Sequence, residues 1–151
     1  MKITKLDQKG IDFICSFEGF SSTPYRDSVG IPTIGYGTIR YPNGKKVTMQ
    51  DEAITIEQAK VFMKHDVERF ELAVDAMCPD DLTQNMFNAL VSFCYNLGEN
   101  SLRTSTLLKK LKQNTHDASI SAEFKKWNMA GGHVVDGLVR RRGAEARLYF
   151  S

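Results

Sequence analysis

The chain has 151 residues, 42% hydrophobic and 25% charged, with 20 Lys+Arg against 18 Asp+Glu. That mixture is ordinary for a folded globular domain and excludes a disordered or collagen-like chain, and the length suffices to bury roughly 70% of the surface that the unfolded chain exposes. The formal charge of +2 hides an asymmetry: residues 101–151 hold ten Lys+Arg against Asp117, Glu123, Asp136 and Glu145, so this third is strongly basic and the rest is net acidic. A basic C-terminal third suggests an anionic partner.

From Met1-Lys2-Ile3-Thr4-Lys5 onward no stretch is apolar enough for a signal peptide or a membrane span. The expectation is a chain made in the cytosol, with no export address of its own. Cys15, Cys78 and Cys94 are odd in number and contain no C-x-x-C pair, which fits buried thiols rather than a disulfide framework. His65, His116 and His133 are isolated, without the close second ligand a metal site needs. Neither a metal nor any other cofactor is expected.

Thr4 and Asp7 resemble a capping pair at the start of a first helix, with Ile11, Ile14 and Cys15 on its apolar face and Phe13 and Phe17 beside it. Gly19 suggests that this helix stops at Glu18. From Phe20 to Thr48 the pattern changes to extended pieces, Pro24 to Arg26, Thr33 to Tyr41 and Lys45 to Thr48, broken by Gly30, Pro32 and Pro42-Asn43-Gly44. That is a small antiparallel sheet. Gly35 and Gly37, two apart in a strand, would leave one face bare for a ligand or another backbone.

Everything after Thr55 reads as helix. Thr55 and Gln58 form a capping box, followed at helical spacing by Ala59, Phe62, Met63, Val67, Phe70, Val74 and Met77 as one long element ended by Pro79. Thr83 to Leu97 is another apolar helix with Gly98 after its cap. Ser105 to Leu111, Ser119 to Trp127 and Leu138 to Tyr149 are shorter helices, and Gly131-Gly132 is a turn. The fold class expected is α+β, mainly helical: a small antiparallel sheet lobe, approximately 20–54, inserted after the first helix of a helical body, 1–19 and 55–151, in a single domain 1–151. A cleft between lobes would then hold a ligand.

Two carboxyl groups are what glycosidic bond cleavage requires, one protonating the leaving oxygen and the other serving the anomeric carbon directly or through a water. Glu18 at a helix end, Asp27 in a turn and Thr33 opening the run Thr33-Ile34-Gly35-Tyr36-Gly37 supply such a pair and a hydroxyl from one short segment. The spacing alone is weak. The bland reading of Glu18 and Asp27 is a helix-end charge and a turn-forming Asp.

Glu18, Asp27, Thr33 and Gly30-Ile31-Pro32-Thr33-Ile34-Gly35-Tyr36-Gly37 resemble the signature of bacteriophage lysozymes of the T4 type, the endolysins. The likeness continues, in the order of the lambdoid-phage branch, through Phe93 to Gly98, Ser105 to Leu108, Trp127 with Gly131-Gly132, and Gly137 to Arg142. It spans essentially the whole chain and implies a lysozyme-like fold. The activity implied is hydrolysis of the β-1,4 bond between N-acetylmuramic acid and N-acetylglucosamine in peptidoglycan.

By that resemblance Glu18 matches the general acid, Asp27 the carboxylate across the sugar, and Thr33 the hydroxyl that helps place the attacking water. The family's reaction inverts the anomeric centre, which sets the carboxyls roughly 6.5–9.5 Å apart. Phe17 and Phe20 would help Glu18 keep its proton by penalising the charged form, whereas an arginine near it, from Arg140, Arg141 or Arg142, would oppose this. Many relatives carry His after Gly37; Thr38 here implies a different structural tether.

Substrate-binding candidates are Tyr36, Tyr95, Asn96, Ser105, Arg140, Arg141 and Arg142. The three arginines fan around a helix rather than sharing a face, and stem-peptide carboxylates would suit one of them; Trp127 reads as core. The expected partner is a peptidoglycan glycan strand and no nucleic acid, bound by a monomer that starts in the host cytoplasm and acts in the periplasm or cell wall once a separate holin has opened the membrane. Two other readings carry weight: membrane disruption by the basic C-terminal helix around residues 138–150, and a lytic transglycosylase, which a water-placing Asp27 and Thr33 argue against.

Overall fold

A computed structural model describes residues 2–151, so Met1, where the reading of the N-terminus began, lies outside the described residues. The chain divides into two compact units, one formed by Ile11–Glu68 and the other by residues 2–10 together with Arg69–Ser151. Among the described residues no helix is long and apolar enough to cross a membrane.

In the smaller unit, helix α1 (Gln8–Cys15) enters from residues of the other unit. Asp7, not Thr4, caps it: Asp7 Oδ1 accepts the Gly10 N–H at 2.9 Å, the position of the N3 amide that a cap side chain ordinarily satisfies. The helix ends at Cys15 rather than Glu18, because the next bonds tighten to three-residue spacing, Phe17 N to Ile14 O and Glu18 N to Cys15 O, both 3.1 Å. Such tightening is the usual way in which a last turn satisfies its carbonyls.

Strands β1 (Ser21–Arg26) and β2 (Pro32–Gly35) pair antiparallel, Tyr25 opposite Thr33 and Arg26 opposite Pro32, with the register shifting between Ser21 and Tyr25. Pro24 has no N–H to give the ladder, and the irregularity falls where it sits. The expected long strand from Thr33 to Tyr41 is not formed. Gly35 and Gly37, at φ 66° and 109°, fold the chain back so that Ile34 bridges Thr38, and the Lys45 to Thr48 piece contributes only the bridge from Lys46 to Arg40. What Gly35 admits is the protein's own helix: a Cβ there would lie 3.1 Å from that of Ala59.

Helix α2 (Ile56–Asp66) begins with the expected Thr55–Gln58 capping box, and α3 (Glu68–Met77) follows it. The single long helix read from the periodicity is therefore two, because Val67 ends α2 as its C-cap.

In the larger unit α4 (Gln84–Leu97) is the central element, capped by Thr83 and ended at Gly98 with φ 94°. Nine consecutive residues of it, Met86 to Cys94, are buried, each large apolar side chain contributing roughly 1.5–3 kcal/mol on burial. Around it come α5 (Glu99–Arg103), α6 (Thr106–Gln113), α7 (Ile120–Lys125) and α8 (Asp136–Tyr149), with α8 packed along α4 and α7. Aromatic edges knit the core: Phe93 meets Phe124 at 5.7 Å and Trp127 at 5.6 Å.

The expectation of helix throughout after Thr55 fails at the hairpin of β3 (Met129–Ala130) and β4 (His133–Val134), whose tip is Gly131-Gly132, both at positive φ. The N-terminal segment joins this unit through the Leu6 N–H, which donates to the buried Glu71 carboxylate at 2.7 Å. Gly10 lies against Asn88, where an added Cβ would come within 2.6 Å of Oδ1.

Candidate active site

Glu18 occupies the tightened turn after α1 and is half-buried, near in sequence to the T-shaped pair of Phe13 and Phe17 rings, 5.1 Å apart. Phe20 packs on Tyr36 at 5.4 Å. Tyr36, in the turn between Gly35 and Gly37, is buried, so the residue singled out for substrate contact also anchors this turn.

Asp27 closes the β1–β2 loop. Its Oδ1 accepts the N–H groups of Val29 at 3.0 Å and Ile31 at 2.9 Å, while its own N–H donates to the Ile31 carbonyl and its carbonyl accepts from Gly30. Arg26 adds a bond to the Gly30 carbonyl at 3.0 Å, and Gly30 takes φ 86° to complete the turn. One carboxylate oxygen is thus locked by the loop, and Oδ2 takes part in none of these bonds. The bland reading, a turn-forming Asp, is correct for one oxygen and says nothing against chemistry at the other.

Thr33 sits on β2, 3% exposed, and its hydroxyl donates to the Ile31 carbonyl at 2.9 Å. With its single proton spent there, Oγ1 can act toward a further partner only as an acceptor. Ile31 links the pair: its amide holds Asp27 and its carbonyl holds Thr33.

Thr38, standing where the family often has His, donates to Asp66 Oδ2 at 2.7 Å, tying the β2 turn to the end of α2. This is the different tether that the sequence implied, although Asp66 itself was not singled out. Burial pushes the Asp66 carboxyl above its ordinary range, opposed by the Thr38 hydrogen bond and by His65.

The remaining candidates belong to the larger unit. Tyr95 is half-buried, its ring edge-on to Phe70 at 5.3 Å. Ser105 is buried, and its hydroxyl accepts the Leu108 N–H and donates to the Leu102 carbonyl, so that it caps α6. Arg140 is exposed, whereas Arg141 and Arg142 are buried.

Arg142 donates to Asn96 Oδ1 at 2.8 Å and Glu145 Oε2 at 3.1 Å. Its Nε lies 2.7 Å from Glu145 Oε1, yet neither atom finds an aligned hydrogen bond, so that contact is ionic only. Ser92 donates to Glu145 at 2.5 Å, and Arg141 reaches the same carboxylate at 3.4 Å. Burial pushes the Glu145 carboxyl up and the Arg142 guanidinium down from their usual ranges, each against the pull of the other. The signal for this network was the i+3 and i+4 spacing from the two arginines to Glu145, and it went unread.

The three cysteines are buried thiols. Burial raises Cys15 to about 11 and Cys78 and Cys94 to about 12.

The family model described as Phage lysozyme matches residues 15–145. The endolysin of Bacillus phage B103 is 38% identical over 146 residues, which are 97% of this chain and 54% of that protein. With the endolysin of Bacillus phage PZA matched over 55% of its length, the chain spans about half the length of these curated relatives. Among solved structures, an endolysin from Escherichia coli O157:H7 phage FAHEc1 gives a TM-score of 0.84 at 40% identity, covering 97% of this chain and 94% of that one. A P22 lysozyme mutant gives 0.89 at 30% identity, covering 99% and 100%. The helical body, the small antiparallel sheet after the first helix and the likeness over nearly every residue lead to one assignment: the chain belongs to the phage lysozyme family.

Proposed function

We propose that this chain is a muramidase, hydrolysing the β-1,4 bond between N-acetylmuramic acid and N-acetylglucosamine of bacterial peptidoglycan in the service of host lysis. The observation that carries the reading is the Ile31 linkage, which fixes Asp27 with one oxygen locked and Thr33 with its proton spent, in the β1–β2 hairpin that follows Glu18.

In this mechanism Glu18 gives its proton to the glycosidic oxygen as the bond to the anomeric carbon breaks. A water attacks that carbon from the opposite face, passing one proton to Asp27 Oδ2 and pointing the other at Thr33 Oγ1, and the configuration inverts. Glu18 then regains a proton from solvent and Asp27 loses one. Tyr36, Tyr95, Asn96 and Arg140 are the proposed substrate-holding set, Arg140 having its charge on the surface; Ser105, Arg141 and Arg142, buried with their polar groups engaged, are left out of it. The protein acts as a monomer without a cofactor, starts in the host cytoplasm, and reaches the periplasm and wall through a separate holin.

Mass spectrometry of peptidoglycan digested by wild type and by Glu18→Gln tests this. Reducing muropeptides ending in N-acetylmuramic acid, from wild type alone, are expected. Anhydro products would make it a transglycosylase, and soluble products from both proteins would remove Glu18 from the chemistry. NMR of the fresh reducing end should show the α anomer; the β anomer would replace inversion by retention.

A further inference from the structure

Arg26 takes no part in the proposed chemistry, yet it holds the peptide on which Asp27 rests. Its Nη1 donates to the Gly30 carbonyl at 3.0 Å. That carbonyl and the Ile31 N–H belong to one trans peptide unit, planar, with its two polar groups pointing in opposite directions. The Ile31 N–H donates to Asp27 Oδ1 at 2.9 Å. The Gly30–Ile31 peptide is therefore clamped between a guanidinium at its oxygen and a carboxylate at its nitrogen.

Both ends of the clamp are charged, and charge-assisted hydrogen bonds are the stronger kind. Bonds in a chain also polarise one another, so a cation at the carbonyl makes the same peptide's N–H a better donor to Asp27. The clamp fixes direction as well. Gly30, exposed and at φ 86°, has no side chain to resist rotation of the peptide that follows it. A half-turn of that peptide would aim its carbonyl at the carboxylate, and Arg26 holds the carbonyl on the far side.

A later turn of the smaller unit is built in the same way around a neutral side chain. Arg40 Nη1 donates to the Gly44 carbonyl at 2.7 Å, Gly44 has φ 88°, and the N–H of that same peptide, on Lys45, donates to Asn43 Oδ1 at 2.9 Å. The device is thus a way of closing a turn, and at Asp27 it closes on a group with a second oxygen that the turn does not use.

We propose that Arg26 is a positioning residue for the reaction: acting through the Gly30–Ile31 peptide, it holds Asp27 Oδ1 in place so that Oδ2 stays aimed at the attacking water. The proposal rests on the muramidase reading, which makes Asp27 the base. In this role Arg26 acts on the carboxylate rather than on the sugar, so its loss should lower kcat and leave KM unchanged.

The test compares wild type with Arg26→Met, Arg26→Lys and Arg40→Met on purified peptidoglycan. Arg26→Met should lower kcat about three- to tenfold, in keeping with one exposed hydrogen bond from a charged group. Arg26→Lys, whose ammonium can still donate to a carbonyl, should recover most of the loss, and Arg40→Met should keep the wild-type kcat. An unchanged kcat in Arg26→Met overturns the proposal. So does a rise in KM alone, which would make Arg26 a substrate contact, or an equal loss in Arg40→Met, which would make both arginines general supports of the smaller unit.

NMR separates this from the muramidase reading. In Arg26→Met the Ile31 amide proton should move upfield and exchange faster with solvent, while the Val29 amide, which reaches the same Oδ1 from a different peptide, should move less. Arg26→Lys should return Ile31 toward its wild-type position. Should wild type release no muropeptides, the hydrolase reading fails while these spectra still decide whether Arg26 governs the Asp27 contact. Equal shifts at Val29 and Ile31, or none at either, overturn it.

Discussion

The two units hold their shape by different means. The smaller one relies on side chains that bracket short turns: Asp27 over the β1–β2 loop, Asn43 accepting the Lys45 N–H at 2.9 Å, Asp51 taking the Thr48 amide and hydroxyl and the Tyr41 hydroxyl, and Thr55 at the head of α2. The larger one relies on the buried run of α4, the rings around Phe93 and Phe124, and ions sealed among them. A polar bracket can be altered at the surface with a modest loss of stability, whereas a sealed ion cannot. The proposed catalytic groups lie in the part of the molecule where chemistry can be tuned without unfolding the rest.

Substitutions can break or sharpen that contrast. The largest effect expected is on rate: Asp27→Asn keeps an oxygen for the Val29 and Ile31 amides, so the fold should persist while wall clearing falls by about 10²–10⁴-fold, the usual worth of a positioned acid or base. Asp27→Ala should lose the turn as well, and comparing their amide exchange at Ile31 separates the two effects. In the larger unit Glu145→Ala strands the Arg142 guanidinium and should cost about 3–5 kcal/mol in urea denaturation. If it costs no more than a surface change, the contrast between the units collapses.

Thr38→Val removes the hydroxyl from a half-buried carboxylate and should cost about 1–3 kcal/mol, read as a drop in the denaturation midpoint. Asp66 gives that prediction a pH signature. Its folded-state pKa is raised by burial, so its contribution is most favourable in acid, below the ordinary carboxylate range, and declines as pH rises through the raised value. Asp66→Asn, which can still accept from Thr38, should therefore gain stability relative to wild type between acid and neutral pH; a pH-independent difference would show that burial does not govern this group. The smallest effect expected is from Thr55→Ala, about 0.5–2 kcal/mol for a lost helix cap, measured in the same way.

Much of this was legible in the residues, and the gaps follow a pattern. Helix starts announced by Thr55, Thr83 and Ser105 all appear, because a capping side chain acts on amides within its own turn. The break at Val67 and the β3–β4 hairpin were missed: Val67 fits the apolar period of one long helix, and a two-residue strand carries too little pattern to read. Gly35 and Gly37 announced a close approach, but a glycine does not say what approaches, and the visitor to Gly35 was Ala59. For the site, the motif residues lay in one segment and could be read together. The Thr38–Asp66 bond, the cross-strand pair of Arg40 and Lys46, and the seating of Arg142 on Asn96 each join residues whose meeting depends on the tertiary path.

The larger unit is closed by two segments far apart in the sequence: residues near Leu6 bind Glu71, and α8 lies along α4. A ribosome delivers α8 well after α4, at roughly 5–20 residues per second, so for the seconds between the two the α4 face waits without its cover. The smaller unit, already complete, can fold meanwhile. A chain released before α8 would then carry the proposed acid, base and hydroxyl while its larger half stays exposed to aggregation and proteolysis, which makes the arrival of α8 the step that protects the α4 face.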